Sequence, residues 1–194
     1  SALELYRSSK RLIPTLLDKP RTGKVAGLMV PPRQFLEDDM TARGVAKQPY
    51  HVLVDGNHGY NPRRDIHAVA CYHPLPPRSL IKIDKGFWVT SPELTFIQIC
   101  ADENLSDFDI ICLGYELCGT YVLDDSWDGL TCIDEPLTST EKIGRLINSI
   151  HRVPGMIRAR NLIKHVHDLS NSPMETILAM LVSLPTTKGG LGLG

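Results

Sequence analysis

"HPLPPRSLIKIDKGFWVTSPELTFIQIC", residues 73–100, decides the fold, because strand signals give way to helix signals inside it. The prolines at 74, 76 and 77 lack the amide donors that a sheet ladder needs, so this stretch cannot lie inside a sheet. "LIKI" (80–83) and "GFWV" (86–89) are β-branched and aromatic-rich, and with Asp84, Lys85 and Gly86 between them they predict a hairpin. Beyond residue 90 the pattern changes. Ser91 suits an N-cap, Pro92 a first helical turn and Glu93 the positive end of the helix dipole, while Leu94, Ile97 and Ile99 supply apolar surface.

Working outward, "HVLV" (51–54) and "IHAVACY" (66–72) predict further strands. On the other side, "LSDFDIICLGYELC" predicts a short helix ending before Gly119. In "TSTEKIGRLINSIHR", Thr138 and Glu141 stand at capping-box spacing, followed by Ile143, Leu146, Ile147 and Ile150 at helical spacing. Pro154 introduces a helix over about 155–168 with Met156, Ala159, Leu162, Ile163 and Val166 as its buried stripe. "SPMETILAMLVSLP" (172–185) starts the last helix. The expected class is therefore α+β, with short antiparallel strands and helices in the N-terminal part and a helical C-terminal part. The expected segments are 1–137 as a mixed α+β module, 138–171 as a helical connector, and 172–194 as a helix and turn belonging to something further.

Composition sets the class limits. The 194 residues are 42% hydrophobic and 22% charged, ordinary for a chain that buries a core. No run approaches the roughly 20 apolar residues of a membrane span, and the N-terminus lacks a signal peptide's apolar stretch, so a cytoplasmic protein without a membrane partner is expected. Cys71, Cys100, Cys112, Cys118 and Cys132 form an odd set without a C-x-x-C pair, which predicts reduced thiols and no zinc site. The chain has no initiator Met and stops at "KGGLGLG", so a piece of a longer protein is expected.

Net charge is −1, but the charges are segregated. Residues 101–135 hold ten Asp/Glu and no Lys or Arg, whereas residues 142–164 hold six Lys/Arg and no acid. Arg160 and Lys164 fall one turn apart on the predicted helix, with Arg158 off its apolar stripe. With Arg152 nearby, and Arg63 and Arg64 in the "NPRRD" loop, these are the candidate phosphate-binding residues. A solvated helix face would account for the same pattern, and no aromatics are interleaved for base stacking. The acidic block gives the alternative, a protein-interaction surface facing a basic partner.

Two sharper patterns have weaker contexts. Asp124, Ser126, Asp128, Gly129 and Glu135 fit positions 1, 3, 5, 6 and 12 of a calcium loop. Such a loop needs a helix on each side, yet "GTYVL" before it favours extended chain and Pro136 turns Glu135 away from helical geometry, so an acidic surface loop explains it better. His165 and His167 are two apart on a helix and diverge; His51, His58, His67 and His73 have no matching acid or Cys cluster, so structural histidines are expected. Ser172, Pro173 and Glu175 form a capping box that needs no catalytic explanation.

"HPLPPRSLIKIDKGFW" followed by "VTSPELTFIQIC" resembles a segment of bacterial proteins related to abortive-infection antitoxins of the AbiEi type, which often carry a C-terminal very-short-patch-repair-like endonuclease domain. "SPMETILAMLVSLPTTKGGLG" resembles the start of that domain, and "SALELYR" the segment after a small winged helix. The similarity spans most of the chain, through short motifs. It implies that Glu175 corresponds to the helix glutamate which, in this class of PD-(D/E)xK nucleases, joins an Asp and an E-x-K carboxylate in holding magnesium. No such Asp and E-x-K follow Glu175 here. The resulting expectation is a non-catalytic regulatory or nucleic-acid-associated module of a toxin–antitoxin-like or nuclease-like protein. Its expected partners are DNA or RNA and a cognate protein; it takes no cofactor itself, with magnesium reserved to an intact parent.

Overall fold

The computed structural model describes residues 2–8, 18–30, 32–43, 45, 49–56, 63–84, 87–124 and 128–193. It shows an α+β fold whose packing divides the chain into two compact units, 1–90 and 91–194. The sequence reading placed its first boundary at 137. The division falls earlier because the helices that follow residue 90 share one core with those beyond 138.

In the first unit, helix α1 (Ala2–Ser8) buries Leu3, Leu5 and Tyr6, and the Tyr6 hydroxyl donates to the Thr90 carbonyl at 2.6 Å. Strand β1 (Arg21–Thr22) is followed by helix α2 (Arg33–Ala42), and then by strands β2 (Tyr50–Asp55) and β3 (Ile66–Cys71). The predicted hairpin is present as β4 (Leu80–Asp84) and β5 (Phe87–Thr90), antiparallel and with a register shift between Lys82 and Asp84. Lys85 and Gly86 of its turn lie outside the described residues. β1 adds antiparallel to β4, giving the order β1-β4-β5. The proline-rich segment stays out of the sheet and runs past β1, where the Leu75 amide donates to the Gly23 carbonyl at 3.1 Å. A Cβ at Gly23 would lie 2.2 Å from the Leu75 carbonyl oxygen, so only glycine allows this approach.

One expectation about the strands is corrected. β2 and β3 pair in parallel, Tyr50 with Ile66 through Asp55 with Cys71. Periodicity reports which residues share a face but not the direction of the neighbouring strand.

The second unit begins as read. Ser91 caps α3 (Pro92–Ile99) by accepting from the Leu94 amide at 3.3 Å. Helix α4 (Asp107–Cys118) is capped by Ser106 and Asp109, each side chain accepting from the other's backbone amide. A short hairpin, β6 (Tyr121–Leu123) with β7 (Leu130–Cys132), precedes α5 (Thr140–Ser149). Helix α6 (Met156–Leu162) gives way to a 3-10 turn at Ile163–His165, so the helix expected to reach 168 is shorter. Val166 is extended and buried, and its methyl groups occupy the space a Cβ at Gly114 would need, 2.7 Å away. Helix α7 (Pro173–Ser183) and a 3-10 turn at Thr186–Lys188 end the unit. Leu94, Phe96, Ile97, Ile110, Ile111, Leu117, Ile143, Ile147, Leu162 and Met180 are each at most 2% exposed and form its core. Two carboxylates are buried with partners: Glu93 accepts from the Thr138 hydroxyl at 2.7 Å, and Glu116 from the Leu123 amide at 3.2 Å.

Candidate nucleic-acid interface

The basic run from 142 to 164 folds into α5, a turn at 150–155, and α6. Ser139 caps α5 by accepting from the Lys142 amide at 3.3 Å. Asp168, from the chain beyond α6, adds to that end by accepting from the Thr140 amide at 2.8 Å and hydroxyl at 3.0 Å. The cap is one residue later than the Thr138–Glu141 spacing suggested, because Thr138 is buried and its hydroxyl is engaged by Glu93. Between the helices, Arg152 at φ 59° and Gly155 at φ 82° hold left-handed backbone. Gly155 is required there: a Cβ would lie 2.3 Å from the Ile97 carbonyl oxygen.

On this frame Lys142, Arg152, Arg160 and Lys164 are exposed, and among the described residues no acid stands within ion-pair distance of any of them. Arg145 pairs only loosely with Glu141, at 3.7 Å on the surface. His165, next to Lys164, is half-buried, and burial, then the nearby Lys188 and Lys164 charges, lower its pKa. Its imidazole is thus neutral at pH 7 and adds no cation.

Arg158 is placed differently from the expectation. Its Nε donates to Asp107 at 2.9 Å, while its two terminal nitrogens donate to the carbonyls of Asp102 at 3.0 Å and Leu105 at 2.7 Å. Lys188 donates to the other Asp107 oxygen at 2.6 Å, and these two cations hold the Asp107 carboxyl below the usual carboxylate range. The Arg158 fork fastens α6 to the 102–107 loop, leaving little of it for phosphate. In the first unit, Arg63 is ion-paired with Asp65, whereas Arg64 is exposed.

Glu175 sits at the exposed start of α7, where it accepts from the Asn171 amide at 2.9 Å and its own amide donates to Ser172 Oγ at 3.2 Å. Among the described residues no group of three or more His, Cys, Asp or Glu side chains could hold a metal ion. The hydrogen bonds with Asn171 and Ser172 make Glu175 part of the helix cap.

The calcium-loop pattern falls on the β6–β7 hairpin. Asp124 accepts from the Thr131 hydroxyl at 2.6 Å, Glu135 is exposed, and Ser126 lies outside the described residues. A strand, not a helix, leads into this loop. Half of the wider acidic block is engaged within the fold: Asp102 accepts from the Asn104 amide at 2.9 Å, Asp107 is ion-paired, and Asp109, Glu116 and Asp124 have the partners given above. One pairing escaped the sequence reading. His51 and His67 are opposite each other on β2 and β3, with ring centroids 5.0 Å apart. Only the parallel register brings them together; His58 lies outside the described residues.

No helix among the described residues is long and apolar enough to cross a membrane. Compared with protein-family models, with characterised proteins and with solved structures, the chain shows no match.

Proposed function

We propose that this chain is a non-catalytic, nucleic-acid-associated module of a toxin–antitoxin-like or nuclease-like protein, and that residues 142–164 contact the phosphate backbone. One observation carries this reading. Lys142, Arg152, Arg160 and Lys164 are solvent-exposed on a single helix–turn–helix segment and, among the described residues, have no acid partner, although the chain as a whole is slightly acidic. Cations that are not neutralised within the fold are the ones available to displace counterions from phosphates. Binding would be backbone-directed and weakly sequence-dependent, since residues 142–164 include no aromatic side chain other than His151 on which bases could stack. Four neutralised phosphates correspond to a salt slope of about −3 to −4 on duplex DNA.

Fluorescence anisotropy with labelled duplex and single-stranded DNA and RNA, between low and physiological salt, tests it. The expected result is a non-specific Kd of about 10⁻⁴ to 10⁻⁶ M at physiological salt. Replacing both Arg160 and Lys164 with Ala should reduce the slope by roughly two units. Absence of binding to every probe, or a flat response to salt, would reject the proposal.

A further inference from the structure

Helix α7 is apolar on two opposite sides. One side is packed inward, with Thr176 and Met180 buried and Met180 Sδ 3.4 Å from Cys112 Sγ. The other carries Met174, Ile177, Leu178 and Leu181, which are 38–74% exposed. The C-terminal tail widens this face: the Leu191 amide donates to the Leu181 carbonyl at 2.7 Å, and Leu191 and Leu193 are 62% and 72% exposed. Apolar side chains exposed as one contiguous group mark a surface that a partner covers.

We infer that this face is a twofold interface between two copies of the chain, with α7 packed antiparallel on its own copy. Charge and area select that occupant. The only charged residue of α7 is Glu175, at its first turn and engaged by the Asn171 amide, so the face offers nothing to select a charged partner and nothing that repels its own image. The exposed area of these six residues is on the order of 600 Å², at the top of the range for the largest patch of a monomer and approaching the ≈ 800 Å² each partner contributes to a stable interface. Leu178 is the midpoint of Pro173–Ser183, so an antiparallel pairing centred on the helix sets Leu178 beside its counterpart. None of residues 142–164 contributes to this face, so the proposal stands or falls independently of nucleic-acid binding.

Light scattering coupled to gel filtration, run on the full chain over about two decades of concentration, provides the test. The expected species is a dimer. Leu178→Glu should weaken it at least about tenfold, and because Leu178 is 63% exposed this variant should keep the wild-type circular dichroism spectrum. Mixing Leu178→Glu with Leu178→Lys should restore a dimer that neither forms alone. A wild-type monomer throughout, open-ended aggregation, or mixing without rescue would each overturn the twofold pairing.

Discussion

Glu175 shows how a single side chain can satisfy two descriptions while its surroundings favour one. Its carboxylate accepts a backbone amide at the front of α7, a role that an amide oxygen also fills. Glu175→Gln should therefore change stability by less than about 0.5 kcal/mol, whereas Ser172→Ala should cost about 0.5–2 kcal/mol in urea denaturation. Asp107 is a residue through which acid should act. The Lys188 and Arg158 hydrogen bonds put its folded pKa below the ordinary 3.8, so its contribution is present above that value and is lost as pH falls through the folded pKa. Thermal melts between pH 6 and pH 2 should show a smaller decline for Asp107→Asn than for the wild type. The thiols divide by burial. Cys100 is pushed up to about 12 and Cys118 is also raised, both chiefly by desolvation, whereas Cys132 is exposed. A thiol reagent should label Cys132 in the folded chain and reach Cys100 and Cys118 only on unfolding.

Among the elements, two glycines of the basic segment make a matched pair. Gly155 has a positive φ and no room for a Cβ, while Gly144, inside α5, faces open space. Gly155→Ala should destabilise the second unit by more than about 2 kcal/mol, through left-handed strain plus a backbone clash. Gly144→Ala should stabilise it by about 0.5–1 kcal/mol through helix propensity. Opposite signs in chemical denaturation would confirm that the turn at 150–155 is held by its backbone. Local chemistry made several elements legible in advance: the β4–β5 hairpin, the Ser91 and Ser172 caps, and the prolines that keep 74–77 out of the sheet. It failed where a distant group competed. Thr138 looked like a cap but reaches Glu93, and the helix starting at 156 loses its regular form near Val166, which is drawn into the core beside Gly114.

At the scale of the whole molecule, each unit has its own core. Phe96 is fully buried in the second unit, so Phe96→Ala should cost about 3–5 kcal/mol there. Hydrogen exchange should then rise across α3, α4 and α6 while the β4–β5 amides keep their protection. The charge segregation seen along the chain survives folding only in part. Among the described residues the basic run at 142–164 keeps four cations on its surface without an acid in ion-pair range, but Arg158 is diverted to Asp107, and part of the acidic block is held by caps and backbone amides. By itself the amino-acid sequence determined the α+β class, the hairpin at 80–90 with the helix that follows it, and the Ser91 and Ser172 caps, because each depends on neighbours within a few positions. Tertiary structure alone decided the parallel pairing of β2 with β3, the place where the units divide, and which arginines remain available. Those outcomes depend on groups as much as 51 residues apart, as Asp107 and Arg158 are, and no local pattern records which distant partner will win.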